Sequence, residues 1–312
     1  AAFLVILIAA LDMFLANAGY YTSGTWKSYI DLEKWGSHTF LDKMSGNERL
    51  DRYFVTFKTL EEFNRFPYDR AILAPPYASL FGLYSFGGAE VLRIDYFEAF
   101  SNLLKDSPGI ELAKRFLDVS GIRYVISAYQ LPDRDFTLLK SIEVGTKTAH
   151  LYEYMPYPGR FLLYGRIRTA KDDKEIIAKL LDRSIDLKRE LIIYSKDFFD
   201  LGNLNVRGNV KLISYGTHKI SLTCTIEDDA FLYVSDAHYP GWKAYIDGKE
   251  VSIYRANLAF RAVYVPKGRH TVVFVYQSLS FYIGCCLSMI GLLASFFLLI
   301  KTRDRDSGHD QP

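Results

Sequence analysis

The chain has 312 residues, 49% of them hydrophobic and 24% charged, with a net charge of +2. That length suffices for two ordinary domains with a sizeable core, and the balance is that of a globular protein. The small net charge and the lack of a long basic run exclude a nucleic-acid backbone as partner.

The opening "AAFLVILIAALDMFLANAGYY" is an apolar helix with Asp12 inside it. Ala16-Asn17-Ala18 resembles a signal-peptidase site. The missing basic flank and the buried carboxyl argue instead for a transmembrane helix over residues 1–18, the end of a span from a longer membrane domain. The chain then reads as a C-terminal portion.

Residues 19–208 read as a mixed α/β domain. "TWKSYIDLEKW" suits a short helix near a membrane surface, and "LDRYFVTF" is a strand dense in aromatic and β-branched residues. "PYASLFGLYSFGGAEVL" is apolar and glycine-rich. In "RIDYFEAFSNLL", Ile94, Phe97, Phe100 and Leu104 fall at helical spacing. "GIELAKRFLDVSGIRYVISAY" predicts a helix, a stop at Gly121 and a strand, one αβ step. Two strands follow around Gly145, then another after a Pro/Gly turn in "PYPGRFLLYGRIRTA". "DDKEIIAKLLDR" is an amphipathic helix with acid at its start, where the dipole favours it. "RELIIYS" is a further strand.

From Asn209 to Ser278 every segment reads as β. Ile220, Leu222, Cys224 and Ile226 share one face of a strand. Asp247-Gly248 between two alternating runs is a hairpin signal, because both residue types tolerate positive φ. Pro266-Lys267-Gly268 makes another turn. Strands at this rhythm predict an antiparallel β-sandwich of about 70 residues. The fold class is thus α+β, flanked by two transmembrane helices.

Leu279–Ile300 carries no charge and reaches about 33 Å as a helix, enough to cross a bilayer. Tyr276, Phe281 and Tyr282 sit at its start as an interfacial belt would. Lys301, Arg303 and Arg305 follow in a polar tail over 301–312, which the positive-inside rule puts in the cytoplasm and the folded bulk outside it. The expected location is the cell membrane, with more than one span.

Chemistry is sparse. Of three cysteines, Cys285 and Cys286 lie in the apolar run and Cys224 in a strand, so neither a disulfide framework nor a zinc site is implied. There is no Asn-x-Ser/Thr sequon, G-x-S-x-G elbow or H-E-x-x-H motif. Asp236 and His238 could form a dyad, but Asp236 reads better as capping the following backbone. Gly87-Gly88 lacks the Lys-Ser/Thr of a phosphate loop. Glu61-Glu62 and Asp172-Asp173 read as helix-start charge. No catalytic residue, metal or cofactor is assigned. One cluster stands out: Tyr239, Trp242, Lys243, Arg255, Asn257 and Arg261. Aromatic faces stack on sugars and arginine grips phosphate, so the cluster suits a glycan or a lipid-linked phosphate. Core packing and local pairing are the structural alternative for the same residues.

"SDAHYPGWKAYIDGKEVSIYRANLAFRAVYVPKGRHTVVFVYQSLSFYIG" resembles the terminal domain of the YfhO family of bacterial polytopic membrane proteins. His238 stands where that motif commonly has an aromatic. "ALDMFLANAGYY", "LFGLYSFGGAEVL" and "LAKRFLDVSGIRYVIS" are similar to the family's order. Pro75-Pro76-Tyr77 replaces the usual approach to "LFGLYS". The resemblance implies a GT-C-like glycosyltransferase, using a polyprenyl-phosphate sugar and a cell-envelope glycan acceptor at the outer membrane face. Its catalytic loop would precede this chain. The rival reading is a non-catalytic envelope-binding or assembly module.

Overall fold

The computed structural model describes residues 50–64, 71–74, 83–87, 94–107, 109–196 and 206–306, with side chains to 298. The expected N-terminal span, the "TWKSYIDLEKW" helix and Pro75-Pro76-Tyr77 lie outside these. The fold is α+β. The chain gathers into two compact units. Of the described residues, one takes those before Leu92 together with Ile122–Tyr157; the other takes those of Leu92–Gly121 and those from Pro158 on.

The first unit is built on a five-stranded sheet. Its strands are β1 (Arg52–Val55), β2 (Tyr84–Ser85), β3 (Ile122–Ser127), β4 (Phe136–Val144) and β5 (Lys147–Tyr154), in the order β2-β1-β3-β5-β4. β1 runs parallel to β2 and β3, while β3, β5 and β4 are antiparallel. Tyr53, Val55, Tyr124, Ile126, Ala149 and Leu151 form its core with Phe63 and Ile72. The short helix α1 (Phe57–Glu62) follows β1. Glu61 and Glu62 therefore close a helix, contrary to the expectation that they open one, and Glu62 lies 3.8 Å from Lys147.

The second unit opens with α2 (Asp95–Lys105) and α3 (Ile110–Ser120). α3 stops at Gly121, which adopts φ 61° and donates its N–H back to Asp118 and Leu117. Only glycine takes that left-handed conformation without a Cβ penalty. The predicted αβ step is thus present, with β3 beginning at the next residue.

The unit's larger sheet holds β6 (Phe161–Tyr164), β7 (Arg166–Ala170), β8 (Glu190–Tyr194), β11 (Ala230–Ala237), β14 (Tyr254–Ala256) and β15 (Phe260–Val265). The strand order is β6-β11-β15-β14-β8-β7. β6 and β7 are separated by Gly165 alone, yet lie at the two ends of that order. Two residues of chain span only about 7 Å, so the sheet must curl until its ends meet. The single strand read in "RFLLYGRIRTA" is therefore split between two sheet edges. α4 (Asp173–Leu181) joins β7 to the parallel β8. Asp172 caps it by accepting from the Glu175 N–H at 2.8 Å, as the acid at its start predicted.

A second, all-antiparallel sheet holds β9 (Gly208–Tyr215), β10 (Lys219–Ile226), β12 (Trp242–Ile246), β13 (Lys249–Val251) and β16 (Gly268–Tyr276). Its order is β13-β12-β16-β10-β9. The Asp247-Gly248 hairpin joins β12 to β13, with φ 50° and 84° at the two turn residues. Ile220, Leu222, Cys224 and Ile226 form one core with Leu232, Val234, Val263 and Val265 of the curled sheet. Alternation sends Phe231, Tyr233 and Phe260 to the other face of that sheet. There Phe100 of α2 meets Phe260 at 4.9 Å, and the Tyr233 hydroxyl donates to the Val119 carbonyl of α3.

β16 ends at Tyr276, and α5 begins at Leu279 and runs to Asp306, so the first part of the expected polar tail is helical. Leu279–Leu298 is long and apolar enough to cross a membrane, and none of it is buried. Leaving a Leu or Phe side chain in water forgoes about 1.5–3 kcal/mol. A helix with Leu287, Leu292, Phe296 and Phe297 all exposed fits a membrane location, where lipid would cover these side chains.

Candidate functional site

The six residues singled out from the sequence all lie in the second unit, but they separate into different settings. Lys243 is half-buried and reaches Glu250 at 3.2 Å across the hairpin. Tyr239 is 45% exposed, its ring 6.1 Å from that of Tyr276. Arg255 pairs with Asp173 at the start of α4, and its guanidinium lies 4.7 Å from the Tyr194 ring and 5.0 Å from Tyr96.

Asn257 is fully buried and extends a sheet. Its backbone N–H donates to the Ile192 carbonyl at 2.8 Å, and its Oδ1 accepts the Ile192 N–H at 3.2 Å. The side chain thus replaces a strand neighbour and ties β14 to β8. It does so at φ 44°, which Asn tolerates because its short polar side chain bonds locally.

Trp242 and Arg261 are brought together. Arg261 alternates with Val263 and Val265, so it points into the space between the two sheets. Its guanidinium sits 4.0 Å from the Trp242 ring and 5.4 Å from Phe274. A desolvated cation over an indole face contributes about 2 kcal/mol. Trp242 is the register partner of Tyr276 in β16. The pair therefore caps the end of the core from which β16 leaves for α5.

Three more residues complete this cap. A register shift in β11 between Val234 and Ala237 accommodates Asp236 within an otherwise apolar strand. Arg160, beside the Pro158-Gly159 turn, donates from Nη2 to Asp236 Oδ1 at 2.5 Å and to the Tyr215 hydroxyl at 2.6 Å. The Tyr215 hydroxyl donates to Asp236 Oδ2 at 3.0 Å, and Arg261 Nη2 reaches the same oxygen at 3.3 Å. Arg160, Asp236 and Arg261 are all buried, with exposures of 3%, 7% and 2%. Two guanidinium groups thus share one carboxylate. Burial opposes the charge of Arg160, but Asp236 and Tyr215 together outweigh it, so that pKa is raised. For Arg261 burial dominates and its pKa is lowered. Among the described residues, Arg261 Nε and Nη1 have no hydrogen-bond partner. An unmet buried donor costs about 1–3 kcal/mol.

Asp236 is thus engaged by side chains at long range, a pairing that the local reading of its loop does not include. His238 faces Tyr96, with Nδ1 3.3 Å from the Tyr96 hydroxyl. Burial, then the charges of Arg255 and Arg261, push its imidazole down to about 4. It is neutral and positioned as a packing group. Among the described residues no group of three or more His, Cys, Asp and Glu could hold a metal.

Residues 204–288 match the family described as bacterial membrane protein YfhO. The match covers about a quarter of the chain. No curated protein and no solved structure matches it. The YfhO match runs from β9 to the first turns of α5, and it contains Tyr215, Asp236, Trp242, Arg255, Asn257 and Arg261. Arg160 and Tyr96 lie before it. Sequence reasoning found Trp242 and Arg261 and missed Arg160, Tyr215 and the role of Asp236. The one available signal was an Asp inside the apolar run "FLYVSDA".

Proposed function

We propose that this chain is a YfhO-family member and the extracytoplasmic module of a GT-C-like membrane glycosyltransferase. It sits against the outer face of the membrane and assists transfer of sugar from a polyprenyl-phosphate donor to a cell-envelope acceptor. The observation that supports closeness to the membrane is the junction of sheet and helix. Only Gln277 and Ser278 separate β16 from α5, and both are tied down. The Gln277 N–H donates to the Gly241 carbonyl at 2.7 Å, and the Ser278 hydroxyl accepts the Phe281 N–H at 3.3 Å. A connection this short holds the sheets at the bilayer surface and raises the local concentration of a lipid-linked partner. Tyr239, Trp242 and Tyr276 on the sheet and Phe281 and Tyr282 on the helix offer aromatic surface at that level, where such rings prefer to sit.

Two measurements on the full-length protein in cells test this reading. A cysteine placed at Gly248 should react with a membrane-impermeant maleimide in intact cells. Labelling only after permeabilisation would remove the outward placement. Cells carrying W242A should lose envelope glycan decoration while the protein stays in the membrane. Unchanged decoration would favour a non-catalytic binding or assembly module.

A further inference from the structure

We propose that Arg261 anchors an anion site that takes a phosphate group, at the end of the inter-sheet core next to the membrane helix. The inference deepens the lipid-phosphate part of the functional reading and does not depend on glycosyl transfer. Arg261 is 2% exposed, and among the described residues its one hydrogen bond is the 3.3 Å contact of Nη2 with Asp236. That carboxylate is already engaged by Arg160 and Tyr215. Among the described residues, the buried Nε and Nη1 have no partner. A guanidinium has five N–H donors in a fixed plane, and phosphate oxygens match that plane better than any neutral acceptor. A cation that shares its carboxylate with a second guanidinium, and whose Nε and Nη1 are unmet among the described residues, is suited to an anion from outside the chain.

The position agrees with the chemistry. Trp242, stacked on Arg261, pairs in register with Tyr276, and α5 begins three residues later. This is the depth at which headgroup phosphates concentrate. Trp242 is part-exposed, and its ring lies 4.0 Å from the guanidinium. Occupancy therefore changes the surroundings of the Trp242 indole.

The test uses the full chain with W26F and W35F, leaving Trp242 as the sole tryptophan of three. It is placed in nanodiscs of digalactosyl diacylglycerol, which lacks phosphate, or of the same lipid with added phosphatidylglycerol. Trp242 emission is recorded in both, and inorganic phosphate is titrated into the first. A saturable response to inorganic phosphate alone assigns a free anion. A response to phosphatidylglycerol alone assigns the lipid headgroup. In either case R261Q should weaken binding about tenfold or more, and R261K, which keeps the charge but loses the planar fork, should fall between. If R261Q fails to fold, R261K carries the comparison. No response to either phosphate source, or a response unchanged in the Arg261 variants, overturns the proposal and leaves water as the partner of those nitrogens. Such a result would not alter the labelling outcome at Gly248, so the two readings fail separately.

Discussion

Replacing Asp236 with Asn isolates the electrostatics of the cap while keeping its shape. The carboxylate holds Arg160 at 2.5 Å and Arg261 at 3.3 Å, and all three are buried. The amide removes the charge shared by two guanidiniums and turns an N–H₂ or a neutral oxygen toward them. Breaking a buried ion pair by removing one partner costs about 3–5 kcal/mol, because the remaining charge stays desolvated. For a unit of this size, each kcal/mol shifts the melting temperature by roughly 2–4 °C, giving a fall of about 6–20 °C for D236N. Near-UV circular dichroism and scanning fluorimetry of the full chain in detergent would measure it. R261M should cost less than D236N, since it leaves Asp236 with Arg160 and Tyr215. D236N combined with R261M should be less damaging than the sum of the two, because the second change removes one stranded cation. A D236N melting point within about 2 °C of the parent, against the range expected from a buried pair, would refute the reasoning.

Further outcomes can be checked in the same way. A Cβ at Gly121 would meet Ser235 Oγ at 2.7 Å and the Gly159 carbonyl at 3.1 Å, at φ 61°, whereas one at Gly248 meets nothing. G121A should therefore destabilise by more than the roughly 1–2 kcal/mol expected of G248A from backbone conformation alone, as read by denaturant midpoints. Burial pushes the Cys224 thiol up to about 12, so it should resist maleimide until the chain unfolds, as mass spectrometry of labelled protein would show. His238 is depressed to about 4 from 6.5 by burial and by Arg255 and Arg261. The unfolded chain takes up a proton there below pH 6.5 that the folded chain refuses until about pH 4, so stability falls as pH drops through that window. H238Q should flatten that limb of the melting-temperature profile. A limb of unchanged slope would assign it to other groups.

Local pattern was enough for much of the architecture. The alternation of Ile220, Leu222, Cys224 and Ile226 fixes a buried face, because strand side chains alternate whatever they pack on. Asp247-Gly248 and Gly121 announce positive φ, since few residue types tolerate it. The uncharged run from Leu279 announces a helix long and apolar enough to cross a membrane, by length and polarity alone. Glu61-Glu62 misled because α1 is a single short helix whose start carries no acid. The split at Gly165 was hidden for a different reason: either half of "RFLLYGRIRTA" reads as a strand, and only the pairing shows that they join opposite sheet edges.

What the sequence determines by itself is therefore the class of each element, the apolar faces and the helix long and apolar enough to cross a membrane, all properties of neighbouring residues. What the tertiary structure decides is which polar residues meet. Arg160, Tyr215, Asp236 and Arg261 are far apart in the chain, and no spacing rule links them. Lys243, Arg255 and Asn257 look equally suited to a ligand in the sequence, yet they pair with Glu250, Asp173 and Ile192. A guanidinium has the same chemistry at Arg255 and Arg261, and it is long-range packing that leaves the second one with donors unmet among the described residues.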